Sequence, residues 1–185
     1  VLQVMRRENP DLVDILVSIL PMLALVMPGL CLIGLLDTQP ESLQAMLLVM
    51  VFVTAVAGDT FAYFVGTAMK GPKLCPRISP NKTVSGAVGG LLGSLLCAVA
   101  VGRLFAWFNP ALPFPPLWAD SLLGLFAGIA GQVGDLFASM IKRHCRIKDF
   151  GTLFPGHGGM LDRMDSIFFT CIIVYSYRAI LIALL

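Results

Sequence analysis

The stretch Lys148 to Asp165, KDFGTLFPGHGGMLDRMD, gathers carboxylates, cations, a histidine and glycines into one polar island of an otherwise apolar chain. Asp162 and Asp165 stand three residues apart, just under one turn, so on a helix they share a face. Asp149 adds a carboxylate near the start of the island. Upstream, Asp135 in GQVGDLFASMIKR is followed on the same helical face by Ser139, and Asp59 in GDTFAYFVG by Tyr63 and Gly66. Cations surround these acids: Lys142, Arg143, Lys148 and Arg163 near the island, and Lys82 in CPRISPNKTVSG beside Ser79 and Thr83. Cations without carboxylates would suit a lipid head group. Cations with clustered carboxylates suit a polyphosphate carried with a divalent metal, since Mg²⁺ is typically held by one or two carboxylates plus substrate phosphates. The glycines of PGHGG, Gly158 and Gly159 among them, leave backbone N–H groups open to an oxyanion. The alternative for each carboxylate is an ion pair with a basic loop residue.

The elements that must carry these groups are membrane helices. Of the 185 residues 57% are hydrophobic and 13% charged, and the mean hydropathy of +0.86 lies outside the range of soluble domains. Five apolar runs, 12–36, 44–69, 84–107, 118–141 and 166–185, reach the length of about 20 residues that a helix needs to cross a bilayer. The first run follows Arg6 and Arg7 but is far longer than the roughly 7–15 residues of a signal peptide's apolar region, so it reads as a span. Lys and Arg fill alternate loops: Lys70, Lys73, Arg77 and Lys82 after the second run, and Lys142, Arg143, Arg146, Lys148 and Arg163 between the fourth and fifth. The intervening loops, DTQPES and NPALPFPP, hold none. The positive-inside rule then places both basic loops and the polar island on the cytoplasmic side.

The expected fold is an all-α polytopic transmembrane bundle of about five spans, one domain over 1–185 with its chemistry at 135–165. The start at Val1 rather than Met leads us to expect the C-terminal part of a longer protein. Cys31, Cys75, Cys97, Cys145 and Cys171 are scattered singly and form no metal-ligand pattern. Small residues at four-residue spacing, Gly86 and Gly90, Gly89 and Gly93, Gly124 and Gly128, let helices approach closely. Packing within the bundle is the expected use, with a homodimer face as the alternative. Arg103 and Arg178 fall near outer helix ends, where they are expected to reach the interface as structural residues.

The run SMIKRHCRIKDFGTLFPGHGGMLDRMD resembles the signature of the phosphatidate cytidylyltransferases, or CDP-diacylglycerol synthases. GDTFAYFVG and SPNKTVSG resemble that family's upstream elements, in order, so the resemblance covers the chain from about residue 50 onward. Two positions depart from it: an acidic residue often stands where this chain has Ser85, and a glutamate where it has Ala138. Family members usually carry extra N-terminal helices. The resemblance implies transfer of CMP from CTP to phosphatidate, giving CDP-diacylglycerol and pyrophosphate, by a multi-pass protein of the bacterial inner membrane with no nucleic-acid partner. It implies Mg²⁺, as one or two divalent ions, on Asp135, Asp162 and Asp165, with Asp59 and Asp149 as second candidates. Lys82, Lys142, Arg143, Lys148 and Arg163 would bind phosphates, helped by Ser79, Thr83, Gly158 and Gly159. His157 would donate to a phosphoryl oxygen or sit beside the departing pyrophosphate; its alternative role is to cap the glycine loop. Two other readings stay open: a CTP-dependent lipid kinase or related lipid cytidylyltransferase, and an ion-coupled transporter.

The orientation is directly testable. A cysteine at Ser79 should react with an impermeant thiol reagent only from the cytoplasmic side, and one at Asn109 only from the opposite side; the reverse pattern would refute the orientation.

Overall fold

A computed structural model describes residues 12–110, 115–147, 149–151 and 159–184. Helices dominate it. In chain order they are α1 (Leu12–Leu36), α2 (Glu41–Met69), α3 (Val84–Phe108), α4 (Leu117–His144) and α5 (Leu161–Leu184). Each falls on one of the five apolar runs; α5 begins some five residues before its run, taking in Asp162 and Asp165. Four segments are long and apolar enough to cross a membrane: Glu41–Met69, Val84–Phe108, Leu117–His144 and Met164–Ile182. The described apolar part of α1 is Ala24–Leu36. The fold is that of a multi-pass membrane protein.

Local chemistry sets the helix limits. Pro40 and Pro116 precede α2 and α4 in extended conformation, as fits residues that cannot donate to a helix ladder. Glu41 and Asp120 lie in the first turns of those helices, where a carboxylate meets the positive end of the helix dipole. Lys70 ends α2 with a positive φ of 43° and its N–H on the Gly66 carbonyl. Thr83 caps α3, its hydroxyl accepting from the Gly86 N–H at 3.1 Å. Lys142, Arg143 and His144 crowd the last turn of α4, a favourable place for positive charge.

Between α2 and α3 the chain makes a short antiparallel hairpin, β1 (Lys73–Cys75) with β2 (Ser79–Thr83), in the register Lys73 opposite Thr83 and Cys75 opposite Ser79. The sequence reading treated this stretch as a plain loop. Three ties hold the hairpin: the Val84 N–H donates to the Pro72 carbonyl at 2.9 Å, the Gly71 N–H to the Ser85 hydroxyl at 3.3 Å, and Arg143 Nε to the Ile78 carbonyl at 3.2 Å. Ser85, where relatives often carry an acid, thus closes the base of the hairpin.

Lipid tails are as apolar as leucine, so the helices are held by close packing and hydrogen bonds rather than by apolar burial. Glycines make the approach possible. A Cβ on Gly90 would stand 2.8 Å from the Gly58 carbonyl of α2, and one on Gly124 would stand 2.6 Å from Leu95 Cα of α3. The glycine spacing is therefore used inside the bundle. Val84, Val88, Leu92 and Leu96 of α3 are exposed on its outer face, as lipid contact requires. The large apolar core, with Leu35, Met46, Leu47, Met50 and Val174, occupies the end of the bundle away from the hairpin. That end also holds the fully buried Asp120, which bonds Arg103 Nη2 at 2.5 Å and the Tyr177 hydroxyl at 2.7 Å. Arg103 is thus an ion-pair partner joining α3 to α4, with Tyr177 joining α5. Arg178 donates to the Thr38 hydroxyl at 2.6 Å.

Gly124→Ala should destabilise the purified protein by on the order of 1–3 kcal/mol, read as a lower melting temperature, because the added methyl meets backbone that cannot yield. Gly29→Ala is the control: nothing lies within 4 Å of a Cβ there, and relief of a helical glycine should leave stability unchanged or raise it by up to about 1 kcal/mol.

Candidate active site

At the hairpin end of the bundle α2, β2, the start of α3 and the middle of α4 surround a cavity of about 730 Å³. Its rim carries Lys70, Lys73 and Lys82, and its wall Asp59, Gln132 and Asp135. The face predicted for Asp59, Tyr63 and Gly66 on α2 is the face that lines it. Gln132 lies one turn before Asp135 and donates to the Ala87 carbonyl at 2.9 Å, which links α4 to α3 at the cavity.

The acids converge from three helices. Asp135 of α4 accepts from Lys82 Nζ at 2.6 Å, with the two side chains 25% and 30% exposed for Lys82 and Asp135 respectively. Its other oxygen lies 3.5 Å from the Ser139 hydroxyl. Asp165 of α5 stands within electrostatic reach of both Asp135 and Asp59. A Cβ on Gly134 would be 2.7 Å from the Asp165 backbone carbonyl, so this glycine lets α5 come against α4 next to Asp135. Ser166, the next residue, places its hydroxyl 3.5 Å from Asp59 Oδ1 and completes the link to α2. Asp165 also borders a small apolar cavity of about 40 Å³ lined by Phe137, Phe168 and Phe169. The acidic cluster therefore stands between a polar cavity and an apolar crevice.

Asp162 has a different environment. Its Oδ1 accepts from Lys142 Nζ at 2.7 Å, and its Oδ2 from the Phe150 N–H at 2.8 Å and the Gly159 N–H at 3.0 Å. Lys142 also lies over the Phe150 ring, 5.5 Å from its centre. Both ends of the glycine-rich segment thus fasten to one carboxylate. Gly159 serves this closure directly, since a Cβ there would be 2.8 Å from the Gly151 N–H nitrogen. Burial acts to raise the Asp162 pKa, but the hydrogen bonds from Lys142, Phe150 and Gly159 and the lysine charge outweigh it and hold the carboxyl below its ordinary 3.8.

The structure thus brings together Asp59, Lys82, Thr83 and Asp135 around the cavity with Asp165 beside them, and Lys142, Gly159 and Asp162 at the loop base. Ser79 opens β2 outside the cavity lining, and Arg143 is exposed and tied to the hairpin turn. Asp149 is exposed near Phe150. Lys148, His157 and Gly158 lie outside the described residues, as does the side chain of Arg163. Sequence reading passed over Gln132, whose signal was its position one turn before Asp135, and over Lys70 and Lys73, which it counted only toward topology.

The carboxylates of Asp59, Asp135 and Asp165 are hard oxygen donors, the ligand type that Mg²⁺ takes. Among the described residues no group of three or more His, Cys, Asp or Glu side chains is placed to hold an ion. The arrangement fits an ion held by one or two carboxylates and completed by phosphate oxygens.

Fold and site together define a polytopic helical membrane protein with a lysine-rimmed, carboxylate-lined cavity at its hairpin end. The model of the cytidylyltransferase family matches residues 1–181, and the chain belongs to that family. It is 44% identical over 133 residues to the phosphatidate cytidylyltransferase of Brucella abortus biovar 1 (strain 9-941), covering 72% of this chain and 47% of that protein. It is similar to the phosphatidate cytidylyltransferases of Bacillus subtilis (strain 168), 44% identical over 122 residues covering 66% and 43% of the two chains, and of Synechocystis sp. (strain ATCC 27184 / PCC 6803 / Kazusa), 43% identical over 151 residues covering 80% and 48%. The chain spans about half the length of the curated relatives it matches.

A group whose folded pKa is depressed contributes stability above its unfolded pKa and loses it as pH falls through the folded value. The Asp162 anchor should therefore persist down through pH 3.8 and fail only in stronger acid. Asp162→Ala should accelerate amide hydrogen exchange at Phe150 and Gly159 at neutral pH; protection equal to wild type would mean that other bonds close the loop.

Proposed function

We propose that this protein supplies the catalytic half of a phosphatidate cytidylyltransferase, which transfers CMP from CTP to phosphatidate at the cytoplasmic face of a bacterial inner membrane. The observation that carries the reading is the acidic cluster standing between a polar, lysine-rimmed cavity and an apolar crevice. A water-soluble nucleotide and a membrane lipid have to meet at such a boundary. The names of the relatives and the polar island support the same reaction.

The phosphatidate phosphate is itself the nucleophile. Its oxygen bonds to the α-phosphorus of CTP as the bond from that phosphorus to the bridging oxygen breaks, and pyrophosphate leaves with that oxygen and the electron pair. Neither a covalent enzyme intermediate nor a strong base is needed. The protein's task is to bring two anions together and hold them in line, which is positioning and electrostatics. Lys70, Lys73 and Lys82 at the rim bind the triphosphate as point charges. Asp135 and Asp165, with Asp59 beside them, would hold Mg²⁺, which supplies charge neutralisation between the phosphates. Asp162 and Lys142 hold the glycine-rich segment at its base; Lys148 and His157 are the phosphate ligands that the family resemblance implies. Phe137, Phe168 and Phe169 offer the lipid an apolar wall.

The test is CTP labelled in its base and, in a parallel sample, at its γ-phosphate, supplied to membranes that express the full gene. Base label entering a chloroform-soluble lipid is the expected result; label entering lipid only from the γ-phosphate would identify a lipid kinase, and none in lipid would remove both. Asp135→Asn and Asp165→Asn should each lower turnover by about a hundredfold, the scale of losing a main electrostatic stabiliser, with partial recovery at high Mg²⁺. Near wild-type turnover for both across a Mg²⁺ titration would refute the assignment of the ion.

A further inference from the structure

Two lysine–aspartate pairs stand at this end of the bundle, and they are built differently. Lys142 and Asp162 are 16% and 6% exposed, and two backbone N–H groups hold the carboxylate in place. Lys82 and Asp135 are 25% and 30% exposed, both line the polar cavity, and among the described residues the one other hydrogen-bond partner of the Asp135 carboxylate is the Ser139 hydroxyl at 3.5 Å. The first pair is fixed by its surroundings. The second has no backbone N–H among the described residues to fix it, and the attraction of a partly exposed pair is weak.

Lys82 is also placed to let go. It is the penultimate residue of β2, followed by the Thr83 cap of α3, so its four-carbon stem can swing across the cavity without disturbing the helix. Among the described residues it is the only cation within ion-pair distance of the Asp59, Asp135 and Asp165 group. Its partner lines the polar cavity together with Asp59, and while the pair is intact each masks the group the other would need to bind.

We propose that the Lys82–Asp135 pair is a latch that makes nucleotide and divalent cation bind as a couple. Lys82 leaves Asp135 for a phosphate oxygen, and the carboxylate released by that exchange takes the cation. Before the exchange there is one ion pair; after it there are two, lysine with phosphate and carboxylate with metal. By reciprocity, whatever factor the nucleotide adds to metal affinity, the metal adds to nucleotide affinity. Metal alone has to compete with the lysine, and nucleotide alone with the carboxylate. The device rests on the reading of the cavity as a nucleotide and metal site.

The experiment is Mn²⁺ binding followed by electron paramagnetic resonance, using the full-length protein in nanodiscs. It is done with and without the α,β-methylene analogue of CTP, which cannot transfer CMP, after subtracting chelation by the analogue itself. In the wild type the analogue should tighten Mn²⁺ binding about fivefold or more. Lys82→Met should bind Mn²⁺ alone about fivefold tighter than wild type and lose most of the tightening by the analogue. Lys82→Gln should behave as Lys82→Met, and Lys82→Arg should keep the coupling. Asp135→Asn should bind Mn²⁺ weakly in both conditions. Mn²⁺ affinity in Lys82→Met and Lys82→Gln equal to or weaker than wild type would overturn the latch, as would unimpaired Mn²⁺ binding by Asp135→Asn. Either result leaves the CMP-transfer assay intact, and failure of that assay would overturn the function without reference to Mn²⁺ affinity.

Discussion

Lipid on every flank removes the usual reward for turning apolar side chains inward, and the bundle depends instead on how closely backbones can approach. At Gly58 and Gly90, at Gly124 and at Gly134 a single methyl would meet main-chain atoms of the neighbouring helix. These contacts place the chemistry. Gly134 precedes Asp135 and meets the backbone carbonyl of Asp165, so one missing side chain lets the two helices that carry these acids approach closely. Where α2 and α3 close on each other through glycine, the hairpin that joins them is pushed out over the cavity as its rim.

The two ends of the bundle manage charge in opposite ways. At the far end Asp120 is fully buried, bonded to Arg103 and Tyr177, and surrounded by large apolar side chains. At the hairpin end the acids outnumber the cations that touch them and open into space large enough for a nucleotide. A buried charge that is fully paired fixes a structure, whereas acids left short of partners are a place for a ligand. The contrast separates the structural aspartate from those at the cavity end, although all stand on apolar helices.

Much of this was readable from the residues. The helices were legible because long apolar runs alternate with loops of one charge sign, and a bilayer leaves little choice of structure for such a chain. Asp59 and Asp135 stood out for the same reason: an acid in an apolar run is costly. The hairpin was not legible, because Pro76 directly after a strand of three residues and Pro80 within one of five argue for a loop. Arg143 read as a phosphate ligand because its sequence neighbours are cations, but its Nε bonds the Ile78 carbonyl, a partner 65 residues away. Asp162 and Asp165 looked alike on one helical face; only the approach of Phe150 and Gly159 distinguishes them. Periodicity reports which face a residue occupies and is silent about what arrives there.

The Arg103–Asp120 pair has a consequence for biogenesis. The partners lie 17 residues apart, on consecutive helices joined by the short connection from 109 to 116. A lone arginine or aspartate costs about 2.5–3.5 kcal/mol at a helix centre during translocon insertion, and less toward the ends. If α3 partitioned into lipid before α4 emerged, each helix would meet that barrier unpaired. Entering together as a helical hairpin, they carry a neutral pair past it, so the clasp favours handing α3 and α4 to the bilayer as one unit.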